Sequence, residues 1–143
     1  MKFYVSSAFL EATEIVEIAR AADGLGYEGM AIPDHVVNLE TLATPYPYTE
    51  DGQRRWQPFT DWLDPWVLVG ALAQVTSRLK FVTTVYIPAM RDPYSAAKAI
   101  GTAACLSGGR VELGIGVGWC EEEFDLLGQS FAKRGGVPTR CLN

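Results

Sequence analysis

The amino-acid sequence predicts an α/β protein built around a parallel β-sheet. Short runs of apolar residues alternate with longer amphipathic segments four times along the 143 residues. The short runs are apolar on both faces, which is typical of strands that lie between layers of helices. Polar or glycine-rich residues follow each run, at the strand ends that carry functional groups in such proteins. Strict alternation of this kind indicates either a doubly wound sheet or a barrel.

The first strand-helix unit lies near the amino terminus. Residues 3–5 form a short strand-like run, and apolar residues recur along residues 12–25 at the spacing of one helical face. Thr13 is a candidate cap for this helix. Gly24 and Gly26 are expected to end it, because glycine readily adopts the backbone conformation found at helix ends.

A second strand, at residues 29–32, is followed by an unusually long loop. The segment 38–64 has little periodicity and contains three prolines and five aromatic residues: Tyr46, Tyr48, Trp56, Phe59 and Trp62. Loops of this length in compact domains are usually functional. The aromatic side chains either pack over the end of the sheet or enclose a flat aromatic ligand.

Two further strand-helix units complete the pattern. Pro65 begins the second helix after a cap at Asp64, and a long strand rich in β-branched residues is predicted at residues 79–87. Asp92 and Pro93 open the third helix. The remaining predicted elements are helix 94–106, strand 111–117 and a short acidic helix at 121–127.

Residues at the carboxyl ends of the four strands are candidates for one shared site. They are Ser6, Asp34, His35, Thr84, Val85, Gly116, Val117, Gly118 and Trp119. His35 is the only histidine of the chain, and an imidazole can hold or deliver a proton near neutral pH. Asp34 is a plausible helix cap or orienting partner for it. The alternative is a structural histidine that is simply hydrogen-bonded.

Glycines alternate at the end of the fourth strand, at Gly114, Gly116 and Gly118. Glycines there allow backbone N–H groups to approach a phosphate at the start of the following helix. The alternative is that they only provide room in a crowded interior. Their spacing and position differ from those of a dinucleotide-binding fingerprint. Thr84 and Val85 have a comparable alternative, since β-branched residues are common in any strand.

Charge and cysteine content exclude several classes of protein. The net charge is −5 without a cluster of Lys or Arg, which disfavours nucleic-acid and anionic-membrane partners. No apolar stretch approaches the ~20 residues of a membrane span, and Glu11 and Glu14 interrupt any signal peptide, so a cytoplasmic location is expected. Three cysteines without a C-x-x-C pair indicate reduced thiols, with no disulfide framework and no metal site.

Several ordered motifs together resemble the luciferase-like monooxygenase family, which contains flavin- and deazaflavin-dependent oxidoreductases. They include IPDHV at residues 32–36 and LSGGRV at residues 106–111, with further matches at 22–27, 46–48, 62–65, 81–87 and 113–124. The resemblance spans residues 1–135 and is greatest to probable coenzyme F-420-dependent members. It implies a (β/α)8 TIM barrel, of which this chain holds about the first four βα units.

The resemblance also implies a catalytic and cofactor-binding set. His35 matches the position that faces the redox ring, where it holds or donates a proton, with Asp34 beside it. Residues 84–85 match the place where relatives have a non-prolyl cis peptide bond beneath the ring. Residues 116–118 match positions near the ribityl or phosphate part of the cofactor.

The implied cofactor is a deazaflavin (coenzyme F-420) or FMN, and the implied reaction is hydride transfer or oxygen activation on a small organic substrate. Ser6 and Trp119 complete the predicted cofactor contacts. Some deazaflavin-dependent dehydrogenases place a carboxylate acid near the position of Trp119. The resemblance therefore does not extend to that acid catalysis.

The length of the chain differs from what a whole barrel needs. Such a barrel takes about 250 residues and eight strands, whereas the sequence predicts four strands. Residues 136–143 depart from the family pattern, and we hypothesise a frameshift that truncates an enzyme gene. We expect the isolated chain to be inactive. The alternative is a non-catalytic half-barrel that forms homodimers to cover its sheet edges and at most binds a flavin.

Overall fold

Four short strands form one parallel sheet in a computed structural model that describes residues 1–136. They are β1 (Tyr4–Ser6), β2 (Gly29–Ile32), β3 (Lys80–Thr83) and β4 (Val111–Glu112). The predicted α/β fold with a parallel sheet is confirmed. The strands lie side by side in chain order, whereas a doubly wound sheet reverses its order at one point. The order is therefore that of a barrel. Residues 137–143 of the predicted divergent tail lie outside the described residues.

Across residues 1–136, four α-helices and two short 3-10 helices accompany the sheet. They are α1 (Ile15–Leu25), α2 (Pro65–Ala73), α3 (Pro93–Leu106), α4 (Glu121–Leu126) and the 3-10 helices Pro88–Met90 and Phe131–Gly136. Asp64 and Asp92 cap α2 and α3 as predicted. The predicted cap at Thr13 is wrong, because Glu14 holds that position and no side chain caps the helix. Within residues 1–136, no helix is both long and apolar enough to cross a membrane.

The helices bury the apolar side chains on one face of the sheet. Met30, Ile32 and Phe81 of the strands are nearly inaccessible, as are Ala19 of α1 and Leu72 of α2. Burying a side chain such as Ile, Leu, Met or Phe contributes about 1.5–3 kcal/mol. This layer therefore holds the strands in place and fixes where their carboxyl ends lie.

The third and fourth strands are shorter than predicted. A strand was expected over residues 79–87 and another over 111–117, but the continuous pairing stops at Thr83 and Glu112. The Thr83 hydroxyl donates to the Gly114 carbonyl at 2.8 Å and accepts from the Gly114 N–H at 3.0 Å. A side chain thus takes the place of the backbone ladder at this point. Pairing resumes once, between Tyr86 and Ile115.

Candidate functional site

A cavity of about 420 Å³ lies at the carboxyl ends of the four strands. The candidate residues that line it are Asp34, His35, Thr84, Val85, Gly116, Val117, Gly118 and Trp119. Ser6 is not among the lining residues, and its hydroxyl instead accepts the Ala8 N–H at 3.1 Å. The peptide bond between Thr84 and Val85 is cis, as the resemblance implied. The structure therefore brings together the candidate residues predicted at the ends of β2, β3 and β4.

His35 lies in a tight aromatic environment directly after β2. Its side chain is 14% exposed, and its Nδ1 lies 2.9 Å from Oε2 of Glu123. The centroid of its ring is 4.7 Å from Trp62, 5.7 Å from Trp56 and 6.0 Å from Trp119. The imidazole is thus held by one carboxylate and three indole rings while it lines the cavity.

Glu123 is a residue of the candidate site that was not predicted from the sequence. Its side chain is fully buried, and besides His35 it accepts the backbone N–H groups of Val36 and Val37. From the sequence, Glu123 was predicted only as part of the short acidic helix at residues 121–127. A stronger signal was available, because Glu123 belongs to an apolar helical face with i, i+3, i+4, i+7 spacing: Cys120, Glu123, Phe124 and Leu127.

Asp34 has a different partner from the one predicted. Its buried carboxylate accepts two hydrogen bonds from Arg91, at 2.8 and 2.6 Å, and the Ile87 N–H at 2.9 Å. The expected orienting contact with His35 is therefore wrong, since that role falls to Glu123. Burial alone would lower the pKa of Arg91, but the hydrogen bonds and charge of Asp34 raise it above its ordinary value. The pair fastens the end of β2 to the segment after β3.

The long loop supplies an aromatic wall. Tyr46 lies 5.1 Å from both Trp56 and Trp119 between ring centroids, and Trp56 lies 5.4 Å from Trp62. All four rings line the cavity, so the loop packs on itself and encloses the site at once. Phe59, which was predicted with them, is 86% exposed and lies elsewhere.

Two neighbouring glutamates of α4 fasten this loop. Glu123 holds its beginning through Val36 and Val37, and Oε1 of Glu122 accepts the N–H groups of Ala43 and Thr44, both at 2.7 Å. Burial by itself would raise the pKa of Glu122, but these hydrogen bonds lower it to about 2. The helix α4 therefore clamps the loop through two of its four carboxylates.

The glycines at the end of β4 provide room. A Cβ atom at Gly116 would lie 2.4 Å from Cγ2 of Val85, and one at Gly114 would lie 2.2 Å from the Thr83 carbonyl oxygen. Gly118 has a φ of 82°, in the left-handed region that favours glycine. Close approach of the backbone to β3 thus accounts for these glycines without a phosphate.

The cavity contains no lysine or arginine among its described lining residues. Asp34 and Glu123, its acidic residues, are each occupied by the partners given above. Cys120 also lines the cavity, and burial raises the pKa of its thiol to about 11, so the thiol is neutral at physiological pH. The arrangement therefore suits an uncharged, flat group and offers one imidazole for proton exchange.

Comparison with known sequences gives consistent matches. The profile of a family described as luciferase-like monooxygenase matches residues 4–137. An uncharacterized protein of Mycobacterium tuberculosis is 37% identical over 142 residues, which cover 99% of this chain and 49% of that protein. The F420-dependent glucose-6-phosphate dehydrogenase of Gordonia bronchialis is 29% identical over 124 residues, covering 85% of this chain and 32% of the enzyme. The chain spans about half the length of the Mycobacterium relative.

Comparison with solved structures supports the fold. The monooxygenase RslO1 from Streptomyces bottropensis superposes with a TM-score of 0.71 and 21% identity, covering 95% of this chain and 39% of that one. The oxygenating constituent of 3,6-diketocamphane monooxygenase from Pseudomonas putida, solved with FMN, gives a TM-score of 0.65 and 19% identity, covering 94% and 36% of the two chains. At these identities the similarity establishes the fold.

Proposed function

The chain belongs to the luciferase-like monooxygenase family, and we propose that it is part of a flavin- or deazaflavin-dependent oxidoreductase that acts on a small organic substrate. The observation that carries this proposal is the shared cavity at the strand ends. His35, Val85 and Gly116 come from distant parts of the chain, yet all line this space. In parallel α/β proteins this edge of the sheet is where ligands bind and chemistry occurs.

The flat ring of FMN or of a deazaflavin (coenzyme F-420) fits the residues of the cavity. The backbone of Gly116 packs directly on Val85, and that of Gly118 packs on Phe124 and Ile87, so no side chain projects from either glycine on this wall. Val85 and Val117 remain 41% and 46% exposed on it, which offers apolar surface to a flat ring. When bound, either cofactor supplies hydride transfer, and reduced FMN also reacts with oxygen.

His35 is the residue that exchanges a proton in this proposal. Asp34 is occupied by Arg91 and a backbone N–H, and the thiol of Cys120 is neutral. The ring of His35 is held in place yet lines the cavity. A positioned imidazole of this kind contributes to catalysis by general acid–base transfer, typically by ~10²–10⁴-fold.

The aromatic residues of the cavity favour an uncharged organic molecule as the substrate. Tyr46, Trp56, Trp62 and Trp119 face the cavity together, and aromatic side chains bind apolar groups with defined geometry. A phosphate or carboxylate group on the substrate would find no lysine or arginine among the described lining residues.

Fluorescence titration tests the proposal. Three tryptophans surround His35, so FMN or coenzyme F-420 bound nearby is expected to quench tryptophan emission with saturation. Val117→Glu places a charge on the ring wall and is expected to abolish the quenching. Val67→Glu is the matched control, because Val67 is 73% exposed on α2 and does not line the cavity. A folded chain that responds to neither cofactor would contradict the proposal.

A non-catalytic half-barrel is the second candidate. In the described sheet, β1 and β4 each have a single neighbouring strand, and open edges of this kind favour pairing between chains. Gel filtration beside the titration separates the two. A stable homodimer that binds neither cofactor favours the half-barrel, and saturable quenching in a chain that forms no homodimer favours the oxidoreductase.

A further inference from the structure

The contact between Glu123 and His35 determines which ring nitrogen meets a ligand. We propose that Glu123 is a positioning residue that fixes the tautomer of His35, with the proton on Nδ1 and the lone pair on Nε2. The catalytic meaning of this inference rests on the proposed function. The tautomer itself is a property of the chain without cofactor.

The hydrogen bonds around Glu123 assign the proton. Oε1 accepts the N–H groups of Val36 and Val37, the latter at 2.9 Å, and Oε2 lies 2.9 Å from Nδ1 of His35. An ionised carboxylate can only accept hydrogen bonds. Nδ1 must therefore be the donor, and a neutral imidazole then leaves Nε2 as an acceptor.

The surroundings of the ring keep this arrangement in place. The ring centroids of Trp62, Trp56 and Trp119 lie 4.7–6.0 Å from that of the imidazole, and the side chain of Glu123 is completely buried. A rotated ring would leave that buried carboxylate without its side-chain donor, which is unfavourable. Within residues 1–136, Nε2 has no hydrogen-bond partner, and the ring lines the cavity. Nε2 is thus the atom presented to substrate or cofactor.

Replacing Glu123 with glutamine is expected to move the proton of His35 from one ring nitrogen to the other. The two backbone N–H groups need an acceptor, so the carbonyl oxygen of the amide stays with them. The NH2 group then faces Nδ1, which must accept, and the proton moves to Nε2. Glu123→Gln should therefore exchange the protonated and unprotonated ring nitrogens while the loop remains attached.

Nitrogen NMR of the full chain reads this directly, because His35 is the only histidine. At a pH where the ring is neutral, we expect wild-type Nδ1 to have the shift of a protonated nitrogen and Nε2 that of an unprotonated one. In Glu123→Gln the two shifts should be interchanged. Glu122→Gln is the matched control, since Glu122 holds Ala43 and Thr44 without touching His35, and it should leave the wild-type pattern.

Two results would overturn the inference: a proton on Nε2 in the wild type, or unchanged shifts in a folded Glu123→Gln variant. If that variant does not fold, Glu123→Asp replaces it, because the shorter carboxylate withdraws the acceptor from Nδ1. Loss of the Nδ1–H form is then expected, and its retention overturns the proposal. The NMR measurement uses the chain without cofactor. Failure to bind FMN or coenzyme F-420 would therefore contradict the proposed function and leave the tautomer assignment unaffected.

Discussion

The two ends of the sheet hold ion pairs of similar length in different surroundings. At the carboxyl end, Asp34 lies 2.6 Å from Arg91, and the carboxylate is fully buried. At the amino end, Lys80 lies 2.8 Å from Glu28 and 3.1 Å from Glu112, with side chains that are 24–39% exposed. The N–O distances of the ion pairs at the two ends are similar, whereas the burial of their side chains differs.

This difference matters because burial changes what an ion pair contributes. Exposed pairs contribute little, since water and salt screen them and two long side chains lose freedom. A buried pair is not strongly stabilising in itself, but removing one partner leaves an uncompensated charge. The carboxyl end is therefore the end at which single substitutions should have large effects, and it is also the end that holds the cavity.

Removal of Arg91 should give the largest effect. Among the described residues, Arg91→Met leaves the buried carboxylate of Asp34 with only the Ile87 N–H as a partner. We expect the free energy of unfolding, measured by urea denaturation, to fall by about 3–5 kcal/mol.

The control for this variant neutralises both partners. Asn at position 34 keeps an acceptor for the Ile87 N–H but carries no charge. The double variant Asp34→Asn/Arg91→Met should therefore lose less stability than Arg91→Met alone. A double variant that is equally destabilised would show that shape, and not uncompensated charge, dominates at this end.

The tight contact at Gly116 should give the next largest effect. In Gly116→Ala the new Cβ would lie 2.4 Å from the stiff side chain of Val85, so we expect a loss of about 1–3 kcal/mol. Gly101→Ala is the control, because no atom of residues 1–136 would lie within 4 Å of a Cβ at that position in α3. There alanine should stabilise the helix by about 0.5–1 kcal/mol. Urea denaturation of both variants measures the contrast, and equal changes would contradict it.

Local features of the fold were predictable from the sequence, whereas contacts between distant segments were not. The caps at Asp64 and Asp92 and the positions of the four strands were predicted correctly, although the third and fourth strands are shorter than predicted. Each of these features depends on residues within one turn or one strand. The partner of His35 was not predicted, because Glu123 lies 88 residues away in the sequence. Glu123 and Asp34 are both carboxylates near the same loop, and only the packed structure decides which one reaches the ring.

Acid should reveal a contribution at the amino end through Asp23. Burial would raise the pKa of Asp23, but N–H groups of Ser77, Arg78 and Leu79 lower it from 3.8 to about 2. Because the pKa is lower in the folded state, ionised Asp23 contributes to the free energy of unfolding above its unfolded-state pKa. That contribution is lost as the pH falls through its folded-state pKa. We expect a loss of about 1 kcal/mol between pH ~4 and ~2. Asp23→Asn should lack this part of the pH dependence, and an unchanged acid profile would contradict the assignment.

The exposed pairs at the amino end should give the smallest effect. Hydrogen bonds from Lys80 and Lys2 lower the pKa of Glu28 to about 2, yet both lysines are substantially exposed, at 38% and 68%. Glu28→Gln should leave the urea midpoint almost unchanged at physiological salt and lower it slightly at low salt, where screening is weaker. Any contribution should also disappear in acid, as Glu28 becomes protonated. A loss as large as that of Arg91→Met would break the comparison, because burial would then not be what separates the two ends of the sheet.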